Sequence, residues 1–158
     1  MSDPIYLDYN APTPIDPAVV DAILPYLCDH FGNPSSDHSY GYRARTAVQM
    51  AREHLAVLLG AQPDEIIFTG GGSEANNLAI KGVAAALHAR GNHLITSAIE
   101  HPAPKGIGAL VVRRGVTLEP LIHGASHEHG LRAGTENVAF IVGLGQAAAL
   151  AGERAKAA

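Results

Sequence analysis

The chain has 158 residues, 47% of them hydrophobic, and a formal net charge of −4. That length suits one modest domain with a packed core, and the composition excludes global disorder. The acidic balance, the few aromatics and the absence of Trp give no electrostatic or stacking case for nucleic acid.

A single cysteine, Cys28, excludes an intrachain disulfide and a Cys-rich zinc site, and fits a reducing compartment. Met1-Ser2-Asp3-Pro4 has neither the basic nor the apolar part of a signal peptide. No apolar run reaches the length of a membrane span. The expectation is a soluble, cytoplasmic protein.

Taken in chain order, Ile5 to Asn10 is short and alternating, and Pro12 and Pro14 follow it. It reads as an extended arm over 1–15. Asp16-Pro17 starts a helix, with Asp as cap and Pro at the first position, and Pro25 is expected to bend or end it. Phe31-Gly32-Asn33-Pro34-Ser35-Ser36 is a loop by composition. From Arg43 to Leu59, Ala47, Met50, Ala51, Leu55 and Leu58 recur at helical spacing, and Gly60 stops the run. Cys28 falls beside Leu24 and Leu27 and reads as a small buried hydrophobe. Strands are expected over Glu65–Thr69, His93–Ser97 and Ile107–Val112. Helices are expected over Ser73 to Ala89 and Asn137 to Ala157. Strands alternating with helices argue an α/β fold.

The most informative stretch is Phe68-Thr69-Gly70-Gly71-Gly72-Ser73-Glu74. A strand, a glycine turn and a helix start together make an anion site. The first N–H groups of a helix have no internal partner and the helix dipole adds positive charge there. Gly71 and Gly72 let the backbone approach a phosphate closely, and the Ser73 hydroxyl adds a donor. The turn is not a P-loop, lacking the Gly-Lys-Ser/Thr that would follow, and it is not a dinucleotide fingerprint. Read from these residues alone, it serves equally as a tight turn capped by Ser73.

Six ordered motifs together resemble the cysteine desulfurases and selenocysteine lyases, class V aminotransferase-like enzymes that use pyridoxal 5'-phosphate. They are Asp8 to Pro14, Phe31 to Ser36, the glycine turn with Ser73-Glu74, Thr96 to His101, Pro104 to Leu110, and His123 to Asn137. The resemblance implies a truncated remnant of the large domain of fold-type I pyridoxal phosphate transferases. Gly72 and Ser73 match the phosphate-binding residues, with Gly71 in the same turn. His101 matches the catalytic histidine that stacks on the cofactor ring and moves protons. Thr135 matches a residue that reaches the phosphate of a neighbouring protomer, which implies a dimer with shared sites. The family reaction takes sulfur from L-cysteine, leaving L-alanine and an enzyme persulfide that feeds iron–sulfur cluster assembly and sulfur metabolism. Selenocysteine is the other substrate in the family.

The same comparison exposes a gap. Ala103 runs directly into Pro104, where the family has a long block carrying the aspartate that faces the pyridine nitrogen and the lysine that forms the Schiff base. The family's persulfide-forming cysteine has no counterpart either, since Cys28 does not match it. Pro12 stands where the family usually has Thr, and Ala125-Ser126 where it has two glycines. The chain is therefore expected to be a single partial domain: the arm, then 16–103 with the phosphate turn, then 104–158. It is expected to be inactive alone. The alternative is a non-catalytic module that binds a phosphorylated ligand or pairs with a full-length homologue.

Three further candidates are weaker. Lys105 lies four residues after His101 and reads as a turn lysine rather than a replacement Schiff base. Lys81 reads as a solvated charge. His123, His127 and His129 flank Glu128, but the spacing is not that of a zinc-binding helix, and no metal is expected.

Overall fold

A computed structural model describes residues 4–8, 12–95 and 107–157. Helix α1 runs Pro17–Cys28, and the Asp16 carboxylate accepts from the Ala18 N–H at 3.0 Å. Pro25 does not end it. Proline removes a donor but keeps its carbonyl, and that carbonyl accepts from Asp29 and His30 at 2.9 and 2.7 Å, closing the last turn. Cys28, the final residue of α1, is exposed. This corrects the expectation of burial: its apolar neighbours Leu24 and Leu27 are exposed as well, so this face of α1 does not meet the core.

Helix α2, Ser39–Leu59, begins four residues earlier than the spacing predicts. His38 is the cap: its Nδ1 accepts from the Gly41 N–H at 3.2 Å, a role that Ser, Thr, Asp or Asn usually take. Gly60 ends the helix in the left-handed region at φ 60°, as glycine allows without strain. The buried stripe is Ala44, Ala47, Val48, Ala51, Arg52, Leu55 and Ala56, whereas Met50 and Leu58 face solvent. A short 3₁₀ turn, Pro63–Glu65, leads into strand β1, Ile66–Thr69, whose four residues are all buried.

Helix α3 follows over Gly72–Ala86 and strand β2 over Gly108–Val111. β1 and β2 pair antiparallel, with Ile66 opposite Val111 and Thr69 opposite Gly108. Residues 93–95 are not in a strand. Among the described residues the sheet has two strands. The remainder of that expected strand, Ser97 included, lies outside the described residues. Helix α4, Val138–Ala157, starts where Asn137 Oδ1 accepts from the Phe140 N–H at 3.4 Å.

The core lies where α2 and α4 cover one face of β1. Val48, Ala51, Leu55, Ile66, Phe68 and Ile141 form its centre. Gly145 lets α4 approach α2 closely: a Cβ there would sit 2.5 Å from the Ala51 Cα. No described helix is long and apolar enough to cross a membrane.

Candidate functional site

β1 ends in the glycine turn, and its geometry is locked by side chains that contribute little to the core. Thr69 Oγ1 donates to the Gly71 carbonyl at 3.0 Å. The Gly70 N–H donates to Glu74 Oε2 at 2.8 Å, and Glu74 is held in turn by Arg132 at 2.9 and 3.3 Å. On the other side the turn is roofed by β2: a Cβ on Gly108 would lie 2.5 Å from the Gly71 carbonyl carbon. Only a residue without a side chain lets the strand lie so near the turn. Gly71 caps α3 and Gly72 begins it, while Ser73 is exposed. Among the described residues nothing accepts from the N–H groups of Gly72 or Ser73, which leaves them free for an anion.

Beside the turn lies a cleft of about 320 Å³. Phe68, Ile107, Phe140 and Ile141 give it apolar walls, and Gly70, Arg132, Thr135 and Glu136 give it polar ones. The structure thus brings Thr135 to the same cleft as the glycine turn, on a loop that rounds Gly134 at φ 110°. His101, the expected catalytic residue, lies outside the described residues, as does Lys105.

Two ion pairs that the sequence did not announce organise this region. Arg52 reaches from α2 to Glu128 at 2.8 and 3.0 Å, and the two side chains are only 10% and 2% exposed. Arg52 also donates to the Ile66 carbonyl, and Glu128 accepts from the Phe68 N–H at 2.8 Å. These are backbone groups of β1 on the edge away from β2. The pair therefore takes the place of a neighbouring strand and closes that edge. The Arg52 guanidinium also sits 4.6 Å from the Phe68 ring centroid, a favourable cation–π position. Glu128 is thus fully engaged, and His127 Nδ1 accepts from the Gly134 N–H at 3.3 Å. The described residues contain no group of three His, Cys, Asp or Glu placed to hold a metal.

The signal for the first pair was present in α2. Arg52 lies four residues after Val48 and four before Ala56, on a stripe otherwise apolar, and a charge in that register calls for a buried partner.

Three carboxylates are held below their ordinary range. Burial pushes Glu74 up, but the Arg132 guanidinium and the Gly70 N–H outweigh it. Glu65 is lowered by the N–H groups of Gln62 and Arg114, and then by Arg113. Asp16 is lowered by its hydrogen bond from Arg154 and by the Ala18 N–H. A folded-state value below the unfolded one means that the native chain binds fewer protons between the two. Stability from these groups is complete above the ordinary carboxylate range and is lost as pH falls through the folded values. The urea midpoint should be flat from about pH 7 to about pH 5 and fall below about pH 4.3, and Glu65→Gln should flatten the fall. A midpoint unchanged down to about pH 3 would break the linkage.

The fold and the site define a class first: an α/β unit whose glycine turn opens a helix beside a small cleft. The family profile for aminotransferase class-V matches residues 5–121, and the chain belongs to that family. Cysteine desulfurase IscS of Dictyoglomus turgidum is 34% identical, in a match that covers 96% of this chain and 64% of the relative. The chain therefore spans less than two thirds of that protein. The alignment runs over 254 positions although the chain has 158 residues, so the relative has a long internal stretch without a counterpart here. IscS of Dechloromonas aromatica is 55% identical over 106 residues, 65% of this chain and 26% of the relative. Among solved structures, SspA in complex with cysteine superposes with a TM-score of 0.83 at 30% identity, covering 90% of this chain and 72% of that one. The α/β fold is thus that of the cysteine desulfurases in shortened form.

Proposed function

We propose that this chain is a cysteine desulfurase-like protein that keeps the family's grip on a phosphate and does not remove sulfur from cysteine by itself. The observation that carries this reading is the glycine turn at the start of α3. Among the described residues nothing accepts from the N–H groups of Gly72 and Ser73 or from the Ser73 hydroxyl there, beside the cleft that Thr135 lines.

Class V aminotransferases use pyridoxal 5'-phosphate, whose aldehyde is held by a lysine and whose ring acts as an electron sink. The turn fits its phosphate. The rest of the described site does not fit its chemistry. Lys81 is exposed on α3 and Lys156 sits in the last turn of α4, and neither lines the cleft. No aspartate lines it either. No chemical step is therefore derived through the cofactor.

Titration with pyridoxal 5'-phosphate, read by protein fluorescence, should show saturable binding that inorganic phosphate competes away. Ser73→Ala should weaken it about tenfold, the size of one hydrogen bond to a charged group. Incubation with L-cysteine should yield no alanine. Alanine formed by the purified chain alone would overturn the second half of the reading, and absence of any phosphate-competed binding would overturn the first.

A second reading is favoured by the exposure of Gly134 and Thr135: a non-catalytic subunit that offers this loop to a second copy or to a full-length homologue in the cytoplasm. Co-expression with such a homologue and size-exclusion analysis distinguish a mixed dimer from two separate species.

A further inference from the structure

The two edges of the sheet differ. In an antiparallel ladder, one opposed pair of residues turns its N–H and C=O groups inward to each other and the next pair turns them away. The Ile66 carbonyl accepts from Arg52 and the Phe68 N–H donates to Glu128, both on the edge of β1 away from β2. Ile66 opposes Val111, and Phe68 opposes Ala109. These are therefore the pairs that turn away, so Ala109 and Val111 aim their N–H and C=O groups at the outer edge of β2. The Val112 N–H bonds the Glu65 carbonyl at 2.7 Å, which fixes the same alternation from the end of the strand.

Among the described residues nothing bonds the N–H or C=O groups of Ala109 or Val111. Their side chains pack against the core, so the strand cannot roll to hide these groups. Backbone groups on a half-buried strand call for partners. An edge that stays single usually carries a charge or a proline. Residues 107–112, Ile-Gly-Ala-Leu-Val-Val, carry neither. Arg113 and Arg114, which follow, are held on the β1 side by Glu65 and Asp64.

We propose that the outer edge of β2 is an interface for β2 of a second copy of this chain, paired antiparallel about a two-fold axis at Leu110. Ala109 of each copy then opposes Val111 of the other, and each outward N–H meets an outward C=O. Arg113 falls opposite Ile107 of the other copy, so like charges do not meet across the axis. A second copy is the occupant because the assembly then closes. The joined sheet runs β1-β2-β2-β1, and each outermost edge is sealed by its own Arg52–Glu128 pair, which leaves no edge for a further strand. Pairing also carries the sheet past two strands, the number that is marginal in isolation. This surface is separate from the Gly134–Thr135 loop and independent of the phosphate reading.

The test is sedimentation velocity of the purified chain from about 1 μM to about 1 mM, with amide hydrogen exchange read residue by residue by NMR. The expected result is a monomer–dimer equilibrium. The Ala109 and Val111 amides should exchange about tenfold more slowly in dimer-rich than in monomer-rich samples, and those of Leu110 and Phe68, already bonded within the chain, should change less. Ala109→Pro removes an outward donor and no bond to β1, so it should abolish the dimer while far-UV circular dichroism still reports the helices. If that variant fails to fold, exchange in the unaltered chain decides. A monomer at every concentration overturns the proposal, as does protection of Ala109 and Val111 in the monomer. A dimer in which both amides exchange as in the monomer, or one that survives in folded Ala109→Pro, places the contact elsewhere and overturns it too. Growth beyond the dimer overturns the closure.

Discussion

Glu128→Ala should cost about 3–5 kcal/mol, the range for breaking one partner of a buried ion pair. The substitution strands the Arg52 guanidinium, which is 10% exposed, and leaves the Phe68 N–H without its acceptor. A domain of this kind has only about 5–15 kcal/mol in total, so the loss takes a large share of it. Equilibrium urea denaturation of the two proteins measures it directly. The double variant Arg52→Met with Glu128→Leu should recover part of the loss, because it removes both charges together and leaves only the two β1 backbone groups unsatisfied. A single variant no less stable than the parent would mean that water, not Glu128, satisfies the β1 edge.

The second large effect falls on binding. Gly108→Ala places a methyl group 2.5 Å from the Gly71 carbonyl carbon and 2.7 Å from Thr69 Oγ1. The first obstacle is backbone, so it cannot rotate away; either β2 withdraws or the turn deforms. Overpacking of this kind costs about 1–3 kcal/mol, and the helix start moves with the turn. Binding of pyridoxal 5'-phosphate should fall by more than tenfold, well beyond the effect of Ser73→Ala, while far-UV circular dichroism still reports the helices. Unchanged affinity in Gly108→Ala would detach the phosphate grip from the β2 roof.

Much of this architecture was legible in the sequence because it is local. Asp16-Pro17, the stop at Gly60 and the helix start at Asn137 each act within one helical turn, and the structure places helix ends at or beside all three. The glycine turn was legible for the same reason, since its residues are contiguous. The misses are of two kinds. His38 as a helix cap and Pro25 within α1 are local but unusual choices, and residue preferences rank against both. The second kind is non-local. Arg52 and Glu128 are separated by 76 residues and Glu74 and Arg132 by 58, so no window of sequence contains either pair. Of the strand expected over 93–97, residues 93–95 are not in a strand, and the rest lies outside the described residues. That Glu136 Oε2 is buried without a hydrogen-bond partner among the described residues could not be read at all, because an unmade hydrogen bond is visible only once the other partners have been placed.

The packing of α4 on α2 bears on how fast the chain folds. His54 bonds the Gly145 carbonyl across 91 residues, and the edge-closing pair spans nearly as many. Helix-rich chains commonly fold within milliseconds because their contacts are near neighbours in sequence; here the decisive ones are not. A long stretch of chain must be gathered before the α2–α4 contact returns any free energy. The four helices should therefore acquire their backbone order well before the core closes, and refolding should follow the slower time course of a protein with distant pairings.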